Sequence, residues 1–185
     1  RSWMSYHQNE KDEWLRYGAG IYLPDCERCE VDHSRGVQSS NGLMLTRVNH
    51  TKVWNNTFSW NSALGLGMYR ASDNTVMHNR FDWDVRGYSQ GFYYRGQDSS
   101  AILIYEQSHR NTFAYNSATH GGDGVFLWAG QSTMDTGQGG ANDNVFYGND
   151  FSHAVANGIE ATFSRNQFVN NLVDDCWHSV WGGYS

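Results

Sequence analysis

A single proline and only three cysteines stand in this chain of 185 residues. One proline leaves no room for a proline-rich linker or an extended polyproline segment. No run of 18 apolar residues occurs, which excludes a helical membrane span. Charged residues make up only 17% of the chain with a formal net charge of -6, and no basic stripe is present, so nucleic acid is not an expected partner. Cys26 and Cys29 form a CxxC in DCERCEVDH, with His33 four residues on and Cys176 far away. A zinc site needs four ligands and the second CxxC is missing, which leaves a coil turn with a local disulfide as the simpler reading.

Asparagine, glycine and aromatic residues fill the space left by these absences, and they recur in order. Five copies of the phrase Asn-x-apolar-x-x-Asn-x-apolar run through the chain: TKVWNNTF (from Thr51, with Thr for the first Asn), NTVMHNRF (from Asn74), NTFAYNSA (from Asn111), NVFYGNDF (from Asn144) and NQFVNNLV (from Asn166). The second Asn falls at positions 56, 79, 116, 149 and 171, in steps of 23, 37, 33 and 22 residues. A unit of 22 or 23 residues has been stretched twice by insertion. Before each phrase lies a segment of alternating apolar residues: NGLMLT (from Asn41), LGLGMY (from Leu64), SAILIY (from Ser100), DGVFLW (from Asp123) and NGIEAT (from Asn157). Such alternation marks half-buried strands. Partial copies at Gly20–Leu23 and Ser179–Trp181 bring the count to about seven turns.

A unit this short, with three strands per turn, cannot bury its own apolar side, so successive units stack and share one interior. The fold class expected is all-β: a right-handed parallel β-helix over residues 17–185, of about seven coils about 4.8 Å apart. Asn56, Asn79, Asn116, Asn149 and Asn171 then form one column. Asn tolerates the left-handed backbone of a sharp bend, and each buried amide can bond to its copy in the next coil, giving an asparagine ladder. Residues 1–16 lack strand alternation and contain helix formers, so a short helical or irregular cap is expected there. The chain begins at Arg1 with neither Met nor a signal sequence, which fits a mature or trimmed product. A new coil starts at Val180 and stops, so further coils or another chain are expected to cover that open edge.

Alternation places Leu43, Leu66, Ile102, Val125 and Ile159 inside and sends a neighbouring row outward: Thr46, Tyr69, Tyr105, Trp128 and Thr162. Tyr69, Tyr105 and Trp128 would stand side by side facing solvent. The extra residues at Trp83–Gln97 and Ala129–Ala141 flank this same strand, and long loops in a compact repeat carry function. Two walls around an aromatic floor make a groove suited to the apolar faces of sugar rings. Arg70 and Glu106, on adjacent coils, read as a surface salt bridge.

On the Asn phrase and the Gly-apolar-x-apolar strand, the chain over Gly18–Ser185 resembles the pectate-lyase-like superfamily of right-handed β-helix proteins. That superfamily includes pectate lyases, polygalacturonases, alginate lyases, mannuronan epimerases, and accessory and adhesive proteins. The resemblance implies an extracellular, periplasmic or cell-surface location, a polysaccharide or oligosaccharide partner, and a substrate face on the first strand of each coil. It is specific for the fold and weak for the reaction.

Clustering at the entry edge of that face selects Asp98, His120 and Asp123 as candidate catalytic residues. Asp98 and Asp123 could supply the paired carboxyls of a hydrolase, and His120 a general base or acid. Arg95, with Tyr93 or Tyr94, could neutralise or protonate an acidic sugar, while Glu160 could line the groove beside Tyr69, Tyr105 and Trp128. Neither a DPHD-like epimerase motif nor a polygalacturonase NTD…DD…GHG set is present; His120-Gly121-Gly122-Asp123-Gly124 is the nearest phrase. The aspartates at 82, 84, 98 and 123 are too scattered for a calcium site, so no metal or other cofactor is assigned, calcium staying open without a clear motif.

The expected function is thus a polysaccharide-active protein, hydrolase or lyase/epimerase. The alternative is a non-catalytic glycan-binding or structural module of the cell surface. A third reading, a role like that of periplasmic accessory β-helix proteins of copper enzymes, is motivated by eight His, but these are dispersed over many coils.

Overall fold

The computed structural model describes residues 18–86 and 99–183. The expected cap at residues 1–16, and with it Arg95 and Asp98, lies outside them. Within them the chain is a parallel β-helix. Seven six-residue strands form one sheet: β1 (Ala19–Pro24), β3 (Asn41–Thr46), β5 (Leu64–Tyr69), β7 (Ser100–Tyr105), β9 (Asp123–Trp128), β11 (Asn157–Thr162) and β13 (His178–Gly183), each paired in parallel with the next. Six three-residue strands form a second sheet: β2 (Glu30–Asp32), β4 (Lys52–Trp54), β6 (Thr75–Met77), β8 (Thr112–Ala114), β10 (Val145–Tyr147) and β12 (Gln167–Val169). The third strand expected in each coil shrinks to single parallel bridges, running from Arg35 through Thr57, Arg80, Ser117 and Asp150 to Leu172. The register pairs Leu43 with Leu66, Leu66 with Ile102, Ile102 with Val125 and Val125 with Ile159. That is the inward row read from alternation.

Both asparagines of the phrase build ladders. Asn56 Nδ2 donates to Asn79 Oδ1 at 2.9 Å, and the chain continues through Asn116 and Asn149 to Asn171 at 2.9–3.0 Å. A parallel ladder joins Asn74, Asn111, Asn144 and Asn166 at 2.9–3.0 Å. Each acceptor oxygen also takes a backbone N–H, as Asn116 Oδ1 does from Asn79 N at 3.0 Å. The second amide proton goes to a main-chain carbonyl one coil back, as from Asn79 to Val53 at 2.9 Å. Apart from Asn166 at the end of its ladder, whose Nδ2 has no partner among the described residues, these amides are satisfied on both sides, the condition for placing them in a core without a desolvation cost of about 1–3 kcal/mol each.

The left-handed bends fall one residue earlier than expected. The ladder asparagines keep negative φ, while the residues before them, Asn55, His78, Tyr115 and Asn170 among them, have φ of 54–55°. The same offset recurs ahead of the first ladder at His50, Asp73, Arg110 and Asp143. Each bend turns the following side chain inward and leaves its own on the outside, so one bend position becomes one outward column. In one such column, opposite charges of neighbouring coils pair: Arg110 Nη2 with Asp73 Oδ2 at 2.7 Å, and Arg165 Nη2 with Asp143 Oδ1 at 2.8 Å. The Arg110 guanidinium holds the Asp73 carboxyl below its usual range. As exposed pairs, each contributes about 1 kcal/mol or less, and their main effect is on register.

Leu, Ile and Val of the long strands fill the interior together with stacked phenylalanines. Phe113, Phe146 and Phe168 lie 4.8 and 4.6 Å apart with rings within 8° of parallel. A second apolar cluster of Met44, Leu64, Tyr69, Leu103 and Tyr105 lies on the outer face of the long sheet. Cys26 and Cys29 form the local disulfide.

The insertion after β9 contains the helix α1 (Gln131–Thr136), closed by Gly137 at φ 67°. Its N-cap, Gly130, offers no side chain, and Glu106 from the preceding coil ties down the start of the helix. The Glu106 carboxylate accepts from Gly130 N, Ser132 Oγ and Thr133 Oγ1, the last two at 2.9 and 2.8 Å. Glu106 is wholly buried, so the surface salt bridge expected with Arg70 gives way to an anchor for the insertion.

Candidate functional site

The aromatic row read from the sequence exists as a stack, with Tyr69 and Tyr105 5.5 Å apart and Tyr105 and Trp128 5.0 Å apart. Its exposure differs from expectation: Tyr69 and Tyr105 are 1% and 0% accessible, and only Trp128 reaches solvent in part. Alternation tells which side of a strand a residue takes, not whether that side is open. The row therefore packs as a second core along most of its length.

Asp123 and Glu160 meet through one amide. Asn157 donates to Asp123 Oδ1 from its backbone N at 3.0 Å and from Nδ2 at 3.1 Å, and Nδ2 also bonds Glu160 Oε2. Asn157 Oδ1 lies 3.0 Å from His178 Nδ1. Burial, aided by the nearby Glu160 charge, pushes the Asp123 carboxyl from 3.8 up to about 7, and burial raises Glu160 too. His120 has different partners. Its Nδ1 lies 3.0 Å from Thr119 Oγ1, whose own proton goes to Asp82 Oδ1 at 2.9 Å. Of the three catalytic candidates, then, Asp98 is outside the described residues, while Asp123 and His120 belong to separate hydrogen-bond networks.

A second ring column, missed from the sequence, reaches solvent along its length. Trp60, Trp83, His120 and His153 occupy the same bend on successive coils, each with φ of 57–65°. Trp60 and Trp83 stack at 5.0 Å and 3°, Trp83 and His120 at 4.1 Å and 17°, and His120 and His153 at 4.6 Å and 31°. Trp60 and Trp83 are 56% and 42% exposed. The signal for this column is simple: each ring lies four residues after a ladder asparagine, at 56, 79, 116 and 149, and Asp175 follows Asn171 by the same count.

The lower end of the column opens into a shallow cavity of about 550 Å³ lined by His120, His153, Val155, Asp175, Cys176 and Trp177. His153 Nδ1 lies 3.2 Å from Asp175 Oδ2. With Nδ1 donating to Thr119 in His120 and to Asp175 in His153, both Nε2 atoms are left as acceptors in the neutral rings.

The family model described as periplasmic copper-binding protein (NosD) matches residues 5–170. The chain belongs to the NosD family. Neither the curated proteins nor the solved structures gave a match. NosD membership agrees with the parallel β-helix and with the periplasm, one of the compartments expected. No helix among the described residues is long and apolar enough to cross a membrane. The copper in the family's description finds no counterpart here: among the described residues no three His, Cys, Asp or Glu side chains are grouped to hold a metal ion. Cys176, next to the His pair, donates its thiol to the Phe151 and Asp174 carbonyls at 3.5 and 3.3 Å, and burial pushes its pKa up, away from the thiolate a metal requires. The described part of this NosD-family chain thus lacks a ligand set that fits copper.

Proposed function

We propose that this chain is a non-catalytic periplasmic β-helix module, a rigid frame that presents a surface for binding, and not a polysaccharide-cleaving enzyme. The observation that carries the reading is the separation of the acid–base candidates. His120 is held in an outward ring stack by Thr119, and the Asp123 carboxyl is engaged by Asn157 within the sheet. A general base must reach the proton it removes and work beside its partner acid. NosD-family membership supports the same reading.

Acid chemistry by Asp123 and Glu160 is the competing reading, since paired carboxyls with raised pKa serve glycosidases. Incubation with neutral and acidic polysaccharides decides between them. The module yields no new reducing ends and no unsaturated products. Release of either, lost in Asp123→Asn, would show an enzyme.

A further inference from the structure

We propose that the cavity at the foot of the ring column is a binding site for a neutral or amino sugar, and that the column guides a longer oligosaccharide along the coil axis. This goes beyond the module reading by naming the ligand class, and it rests on that reading only in expecting binding without cleavage.

The geometry supplies the elements of saccharide recognition at one place. Trp177 is 55% exposed and stacks on His178 at 4.2 Å, so a broad ring is held rigid at the cavity wall. Indole surfaces bind the apolar faces of sugar rings, and Trp177 stands at the wall of the shallow depression. The polar groups beside it match hydroxyls. Asp175 has a side chain 82% exposed and is fixed by its bond to His153. The Nε2 atoms of His120 and His153 accept from hydroxyl donors, and their Nδ1 contacts set the ring orientations before any ligand arrives. No apolar ligand would use this set.

Charge narrows the class. Asp175 lines the site, none of the described lining residues is Lys or Arg, and the chain carries a formal net charge of -6. A uronate would meet like charge, whereas an uncharged or amine-bearing sugar would not. Periodicity extends it: the column rises from the cavity one ring per coil at 4.1–5.0 Å through His120, Trp83 and Trp60. A chain of sugars lying along it gains a further ring edge and a further donor or acceptor with each coil it passes. Affinity therefore rises with oligomer length.

The test is calorimetric titration of the whole chain, together with tryptophan fluorescence, using N-acetylglucosamine oligomers of one to five units and galacturonate oligomers of the same lengths. The site predicts binding of the former that tightens with length, and none of the latter. Trp177→Ala weakens binding by about tenfold or more. His153→Gln, which keeps a polar planar group, weakens it less, and matched thermal melts confirm that both variants are folded. Absence of binding by the neutral oligomers, equal binding of the uronates, or affinity untouched in both variants would overturn the proposal. Loss of affinity in Trp128→Ala alone would move the site to the long sheet. Cleavage of a bound oligomer would refute the non-catalytic reading while leaving this site standing.

Discussion

Raising the pH from about 4 to about 8 is expected to weaken the fold through Asp123, and Asp123→Asn is expected to remove that part of the loss. The carboxyl has a folded-state pKa of about 7 against an ordinary 3.8, because burial and the neighbouring Glu160 charge disfavour its ionised form. The raised value fixes the sign. Below the unfolded pKa both states hold the proton and the native contribution is complete; between the two values only the native state keeps it; above about pH 7 both have lost it and the contribution is gone. At about 1.4 kcal/mol per pH unit, the span between 3.8 and about 7 corresponds to roughly 4 kcal/mol, an upper bound because Asp123 retains some solvent contact. Glu160 and Asp84 shift in the same direction and contribute their own slopes, so the informative quantity is the difference between wild type and variant. Asparagine keeps the acceptor for Asn157 and turns the site into another ladder amide. Urea unfolding across this pH range should show the variant gaining stability over wild type as pH rises, with little difference at pH 4. Parallel curves for the two proteins, or a 13C-detected Asp123 titration centred near 4, would refute the argument.

Three further substitutions probe the frame. Asp84→Asn should stabilise the protein at neutral pH, since Asp84 sits in the ladder position after Asn61, its Oδ2 has no partner, and burial raises its pKa well above normal; urea midpoints at pH 7 read the gain. Asn116→Ala, at the centre of its ladder, strands Asn79 N and Nδ2 and loses donors to Asn149 and Val76, a cost on the order of 3 kcal/mol that calorimetry would show as a lower Tm. Glu106→Ala should cost on the order of 2–4 kcal/mol by leaving Gly130 N, Ser132 and Thr133 without their acceptor, and hydrogen exchange should rise locally in α1 while β5 and β9 stay protected.

The repeat made the frame legible because it encodes strand and bend together. The alternating segments gave β3, β5, β7, β9 and β11 with their observed ends, and the stretched steps located the insertion that holds α1. The first asparagine, present in four of the five phrases, is also a ladder member, and its steps from 74 to 166 match those of the second. Placing the left-handed bend on Asn itself hid the outward residue before each ladder position. The separate bend four residues after each ladder asparagine is equally hard to see, because its residue varies in type, Trp at 60 and 83 but His at 120 and 153, so no repeated letter marks that column. Tyr69 and Tyr105 misled for another reason: period two assigns a face, and burial of that face depends on packing beyond the strand. Asp123 and Asp84 look like ordinary turn carboxyls until the register sets them beside Asn157 and Asn61.

Hydroxyl-radical footprinting of the native chain tests the central claim most directly, because it asks which aromatic column faces solvent. The account predicts rapid labelling of Trp60, Trp83 and Trp177, with Tyr69 and Tyr105 protected until the protein unfolds. Labelling of Tyr69 and Tyr105 in the native state as fast as that of exposed Tyr115, with Trp60 and Trp83 protected, would contradict it and return the functional face to the long sheet.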